Sequence, residues 1–328
     1  MNTRCNLDCE HCHFGRSEDY RTIPRDVRHQ IVEEFARLSP GGAVVACGGE
    51  PALDVEELLD LGRQCRSLGL RLLTVTNGTH VTPHNAHRWV TEGPTEITIS
   101  IDSHDPDKHD LWRGAKGSFK AAERAVLELE YAREQVRLSG KPCDTKIMVM
   151  TIVGERNYRE LPDLFRYVLD RLGADKLKLN MAQPTFAMAN GQDAWYEREV
   201  VKDVDGLMAI IDDCDRRWNL GIKEEWKKQV AGYFHDVSLD STRRLGWLSR
   251  KGTTEHICNS YDRNIMVGVD LSMKLCFSPT FPSRPWKKPG DLRSFWEGAT
   301  WRGEMAKCNR YCGISHSVRR QSATGGIA

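Results

Sequence analysis

The chain has 328 residues, enough for two domains and for a core that closes without disulfide staples. Its 47 Lys and Arg balance 46 Asp and Glu, which excludes a whole-chain electrostatic footprint for nucleic acid; the pairs Arg243-Arg244 and Lys287-Lys288 are short enough to be solvated surface. The first residues are polar rather than a signal peptide, and no apolar run approaches the ~20 residues that span a bilayer, so a cytoplasmic protein with no nucleic-acid or membrane partner is expected.

Cys5, Cys9 and Cys12 come first, and a helix follows in which Val27, Ile31, Phe35 and Leu38 recur at helical spacing. An apolar strand over 43–46 runs into Gly48, Gly49, Glu50 and Pro51. Asp54 with Glu57 reads as a capping box for a helix whose Leu58, Leu61, Cys65 and Leu68 share a face. Strands are expected over 72–76, 96–101, 146–153 and 176–180, the first closed by Asn77-Gly78. The intervening helices cover 83–90, 118–136 and 161–172.

Strands separated by helices imply an α/β fold with a parallel sheet and right-handed crossovers. Five similarly spaced strands predict a barrel or partial barrel, with chemistry at the C-terminal strand ends, where Gly48 to Pro51, Ser100, Asp102 and Asn180 fall. Beyond residue 190 the rhythm changes. A helix over 200–218 carries Val204, Leu207, Ile211 and Cys214 on one face, and a hairpin pairs 264–270 with 273–277 ahead of a Pro-rich loop over 279–289. The division into domains is placed at 1–225 and 226–328, with Gly252-Thr253-Thr254 as a linker.

Eleven cysteines in a reducing compartment point to metal or catalysis rather than disulfides. The first three form Cys-x3-Cys-x2-Cys. Thiolates ligate iron–sulfur clusters, and three of them leave one iron of a cubane open to a chelating small molecule. Structural zinc is the alternative, with His11 as its fourth ligand. Cys258, Cys276, Cys308 and Cys312 form Cys-x17-Cys-x31-Cys-x3-Cys, which suits either a fully ligated cubane or tetrahedral zinc. Cys65 and Cys214 fit apolar helix faces. Cys143 has no evident partner. Cys47, beside Gly48, reads as packing or as a thiol that donates a hydrogen atom. Arg113, Asn180 and Gln183 are candidates to face a substrate.

The Arg4-Cys5-Asn6-Leu7 prelude, the cysteine spacing and His11 before the third cysteine resemble the radical S-adenosylmethionine (radical SAM) superfamily, over residues 1–190 and the cysteine-rich tail. The resemblance implies a partial (β/α)6 TIM-like barrel with a [4Fe–4S] cluster on Cys5, Cys9 and Cys12. It also implies S-adenosylmethionine (SAM) beside Gly48, Gly49, Glu50, Pro51, Asn77, Ser100, Asp102 and His11. Residues 109–119 look like a further recurrent stretch of the family. The tail resembles the twitch subdomain, the shorter relative of the SPASM domain, which implies an auxiliary [4Fe–4S] cluster on Cys258, Cys276, Cys308 and Cys312.

Two departures stand out: only residues 1–4 precede Cys5, so either the family's first strand is absent, leaving a more open barrel, or the sequence begins downstream of the natural start, and Leu271-Ser272 replaces the usual hairpin glycine. The activity implied is reductive cleavage of SAM to a 5′-deoxyadenosyl radical that abstracts hydrogen from a small polar metabolite such as a sugar, aminocyclitol or nucleoside. The outcome would be dehydrogenation or epimerisation in antibiotic-type biosynthesis, with flavodoxin or ferredoxin as electron donor. A ribosomal peptide is the alternative substrate, set second because no leader-binding module precedes Cys5. A non-catalytic zinc-binding interaction protein is the alternative of another class.

Overall fold

The Val-, Ile- and Leu-rich runs become five strands: β1 (Ala43–Ala46), β2 (Arg71–Thr76), β3 (Glu96–Ser100), β4 (Lys146–Val153) and β5 (Lys176–Met181). They form one parallel sheet in the order β1-β2-β3-β4-β5, as expected of a partial TIM-like barrel. The computed structural model describes residues 1–183, 194–239, 256–258, 263–275, 283–298 and 317–319. The chain folds as two units, one of residues 1–153, 160–180 and 287–293, the other of 154–159, 181–286 and 294–328. Among the described residues no helix is long and apolar enough to cross a membrane.

In the first unit, strand register sets Ala46 beside Thr74, Thr74 beside Ile97 and Ile97 beside Ile147, so alternate residues share a face. That face is closed, with Ala46, Leu72, Thr74, Ile97, Ile99, Ile147 and Val149 each no more than 3% exposed. Full burial of each large aliphatic side chain there contributes about 1.5–3 kcal/mol. The opposite face carries Val45, which is 55% exposed, and half-buried Leu73, Val75 and Met150.

The helices are α1 (Arg25–Leu38), α2 (Val55–Ser67), α3 (Ala86–Thr91), α4 (Pro106–Arg113), α5 (Ser118–Leu138) and α6 (Leu161–Phe165). Asp54 caps α2 by accepting from the Glu57 amide at 3.1 Å. The expected box does not close, because the Glu57 carboxylate pairs with Arg25 and Arg28 instead. α3 starts later than expected, since the Asn85 side chain takes the Thr82 amide in a turn. The helix after β4 is α6 continued as a π-helix over Arg166–Arg171. Residues 287–293 belong to this unit, and Glu34 of α1 accepts from the Gly290 and Arg293 amides.

The second unit contains α7 (Ala194–Glu199), α8 (Val204–Trp218) and α9 (Glu224–Leu239). α8 begins at Val204 rather than residue 200 because Asp203 caps it through the Gly206 amide. Val204, Leu207, Ile211 and Cys214 are its buried face, as the periodicity requires. The hydroxyl of Tyr233 donates to the Ala182 carbonyl at 2.8 Å, so that of Tyr196 donates to Tyr233 at 2.7 Å. Residue 225 falls in the first turn of α9, and the linker expected at 252–254 lies outside the described residues.

Among the described residues this unit also holds two small antiparallel sheets. In one, β6 (His256–Cys258) pairs with a strand over Ser317–Arg319, Ser317 opposite Cys258. In the other, β7 (Met266–Val267) and β8 (Ser272–Lys274) form the expected hairpin. The Pro-rich segment, read as loop, adds a third strand, β9 (Arg284–Pro285), on the far edge of β8. Proline is tolerated on such an edge because its missing N–H faces away from the ladder. Leu271 takes the left-handed turn position at φ 61°, where the family's glycine would cost nothing. The Asp270 side chain secures that turn through the Ser272 amide and hydroxyl.

Candidate active site

The cysteine loop is fixed from three sides. Asn77, at the end of β2, donates its amide to the Asn6 side chain at 2.9 Å. The Glu10 amide donates to the Trp112 carbonyl at 3.1 Å, which binds the loop to the end of α4. Gly114 follows α4 at φ 64°, and a Cβ there would lie 2.2 Å from the Asp8 carbonyl oxygen. From within, Arg16 pairs with Asp8 and donates to the Cys9 carbonyl at 3.0 Å. A bare Cα at 114 is therefore what lets the loop seat against α4.

Cys9 is buried, and Cys5 and Cys12 are half-buried. Burial raises all three thiols, Cys5 to about 11, and each also senses the charge of its neighbours. Working the other way are the Leu7 amide at Cys5, Arg113 at Cys9 and the Phe14 amide at Cys12. Among the described residues no three His, Cys, Asp or Glu side chains are gathered about one point for a single ion. A cubane meets each thiolate at a different iron, and three partly buried thiols that already face amide and guanidinium donors suit it. The donor set fits the cluster.

The loop after β1 is built around Glu50, which is 2% exposed. Its Oε1 accepts from the Ala52 amide at 2.9 Å and the Thr76 hydroxyl at 2.6 Å, and its Oε2 from the Asn77 amide at 2.8 Å. Burial still pushes this carboxyl above its ordinary value, against those donors. Residues 1–4 run alongside: Met1 N donates to the Cys47 carbonyl, Gly49 N to Asn2 and Glu50 N to Arg4. Cβ atoms on Gly48 and Gly49 would stand 2.1 Å from the Asn2 oxygen and 1.9 Å from the Arg4 oxygen. The glycines thus admit the N-terminal segment, and Pro51 starts a single 3-10 turn beyond it. Cys47 is exposed.

Asp102 is the third node. Its Oδ1 accepts from the Ile152 amide at 3.0 Å, and its Oδ2 is 2.7 Å from Arg113 Nε. Burial opposes the anion, but Arg113, then His11 and His109, prevail and hold the carboxyl below its usual range. The Asp102 amide donates to His109 Nδ1 at 3.2 Å, so that nitrogen carries no proton. Burial, reinforced by Arg113, lowers His109 to about 4. Ser100 is buried at the end of β3.

Cys5, Cys9, Cys12, His11, Glu50, Asn77, Asp102 and Arg113 are thus linked by bonds or charge at the C-terminal end of the sheet. Asn180 is half-buried at the end of β5, and Gln183 lies in the second unit. Cys258 is placed on β6 by its backbone; Cys276, Cys308 and Cys312 lie outside the described residues. Sequence reasoning gave no site role to Asn6, Thr76, Gly114 or Ile152, although Asn6 stood in the Arg4–Leu7 prelude and Gly114 in the 109–119 stretch. His109 and Arg113, four apart on α4, were the available signal.

The sequence model of the Radical SAM superfamily matches residues 1–168. The AdoMet-dependent heme synthase of Methanosarcina barkeri is 28% identical over 183 residues, 55% of this chain and 48% of that protein. The antilisterial bacteriocin subtilosin biosynthesis protein AlbA of Bacillus subtilis is 27% identical over 254 residues, 71% of this chain and 52% of that one. The chain spans about half the length of these curated relatives. The crystal structure of Streptococcus suis SuiB bound to S-adenosylmethionine superposes with a TM-score of 0.64 at 12% identity, covering 93% of this chain and 66% of SuiB. At that identity the likeness establishes a shared fold.

Proposed function

The chain belongs to the radical SAM superfamily, and on that premise we propose that it binds SAM at the three-cysteine loop and uses it to abstract hydrogen from an unactivated C–H bond. Family membership implies a [4Fe–4S] cluster and SAM, which displaces the zinc alternative for Cys5, Cys9 and Cys12. When bound, the cluster and SAM supply one-electron cleavage of a C–S bond. The chain's residues do the rest. Cys5, Cys9 and Cys12 would hold the cluster and leave it one position open for SAM. The Glu50 carboxylate is already engaged by three donors, so the loop over 48–51 offers mainly backbone carbonyls to the SAM ammonium. Asn77, Ser100, Asp102 and His11 line the remaining contacts of the same site.

The observation that carries this reading is the interlocking of the cysteine loop with the ends of β2 and α4, and through Arg113 with Asp102 after β3. The four tail cysteines would hold an auxiliary [4Fe–4S] cluster that relays an electron. Its support is chain reach: Ser317, paired with Cys258, follows Cys312 by five residues, which span at most about 18 Å. A low-potential donor of the flavodoxin or ferredoxin kind would reduce the N-terminal cluster.

For substrate we read a peptide side chain. The support is the match to AlbA, which covers 71% of this chain and is named for bacteriocin biosynthesis. The test is deuterium transfer into 5′-deoxyadenosine from labelled peptides and from labelled sugars or aminocyclitols. Transfer from peptides supports the reading, and transfer confined to the small metabolites reverses it.

A further inference from the structure

Arg113 has no task in the scheme above, yet it is among the most confined charges in the first unit. Its side chain is 9% exposed. Nε is held 2.7 Å from Asp102, whose other oxygen is fixed by the Ile152 amide. Nη1 donates to Cys9 Sγ at 4.0 Å. The backbone on either side is pinned too: Trp112 accepts from Glu10, and Gly114 packs on Asp8. One short segment therefore clamps the loop around Cys9 and aims a guanidinium at its sulfur.

Arginine cannot lose its charge, and its planar fork reaches a carboxylate and a sulfur at once. Hydrogen bonds to ligand sulfur and nearby charge are what set iron–sulfur potentials. We propose that Arg113 is a positioning residue for the N-terminal cluster, holding the Cys9 sulfur by an N–H···S bond and raising the potential at which the cluster is reduced. The inference rests on the cluster reading above. Reduction takes one electron from an external donor and adds one negative charge beside the guanidinium. A fixed positive charge favours that reduced state. Asp102 offsets part of the field, but it also orients the fork so that Nη1 reaches sulfur.

The test is an anaerobic potentiometric titration of the reconstituted full chain, with dithionite as electron source and electron paramagnetic resonance as readout. Added SAM identifies the N-terminal cluster as the signal it perturbs. Arg113→Met should retain iron, while its reduced-to-oxidised ratio at a fixed potential falls about tenfold, equivalent to about 59 mV for one electron. Arg113→Lys, which keeps charge without the fork, should return most of that shift. An unchanged ratio in Arg113→Met overturns the proposal. Equal loss of iron from both variants at wild-type melting temperature also overturns it, because charge would then be irrelevant. Loss of iron from Arg113→Met that Arg113→Lys restores overturns it as well, because the charge would then retain the cluster rather than set its potential. If the wild-type chain takes up no iron and sulfide, the cluster reading itself fails and the Arg113 role falls with it.

Discussion

Arg113 Nε and Asp102 Oδ2 stand 2.7 Å apart, with their side chains 9% and 5% exposed, so a full ion pair sits beneath the cysteine loop. Deleting one partner leaves the other charged and buried, which costs about 3–5 kcal/mol. Asp102→Ala should lose about that much in urea unfolding of the cluster-free chain. Adding Arg113→Met to it should cost less than the sum of the two single changes, because the stranded charge is gone.

Gly114 and Gly117 make a controlled comparison. Both have positive φ, 64° and 86°, but only at Gly114 would a Cβ meet neighbouring backbone. Gly117→Ala should cost about 1–2 kcal/mol for the left-handed conformation alone and leave iron uptake intact. Gly114→Ala should cost more and lower the iron bound per chain, because the Asp8 backbone must move. Iron analysis alongside thermal melting separates the two.

His109 sets an acid limit. Its folded pKa, about 4, is depressed below the ordinary imidazole value of about 6.5 by burial and by Arg113. The unfolded chain therefore binds more protons between those values, and stability falls as pH drops from 6.5 through 4. A shift of that size corresponds to about 3 kcal/mol at 1.36 kcal/mol per pKa unit. Urea midpoints across this window should decline in the wild type and flatten in His109→Gln, which keeps an acceptor for the Asp102 amide.

In the second unit, the hydrogen-bond chain from Tyr196 through Tyr233 to Ala182 has a direction. Tyr233→Phe removes both hydrogen bonds, the donor to the Ala182 carbonyl and the acceptor for the Tyr196 hydroxyl, at about 0.5–1.5 kcal/mol each. Tyr196→Phe removes one of the two, the bond to Tyr233, and should cost less. The reverse order in denaturant titrations would contradict the stated direction.

The five strands were legible because Val, Ile and Leu runs punctuated by Gly and Asn leave few alternatives, and 146–153 was read to the residue. The cysteines and the Glu50 loop were legible as a family pattern. What escaped was set by contacts distant in sequence. Glu57 belongs to Arg25 and Arg28 rather than to its own helix cap. β9 exists because Arg284 and Pro285 find the edge of β8, which no local periodicity announces. The glycines at 48 and 49 were placed beside SAM by family pattern, but no local signal showed that the Asn2 and Arg4 carbonyls stand nearest their missing Cβ atoms.

The central claim is that the three-cysteine loop cleaves SAM, and 5′-deoxyadenosine formation measures it most directly. The anaerobically reconstituted chain, given dithionite and SAM, should release 5′-deoxyadenosine and methionine, and Cys9→Ser should release neither. Equal release by Cys9→Ser, or intact SAM in a wild-type chain that has bound zinc in place of iron and sulfide, would contradict the account.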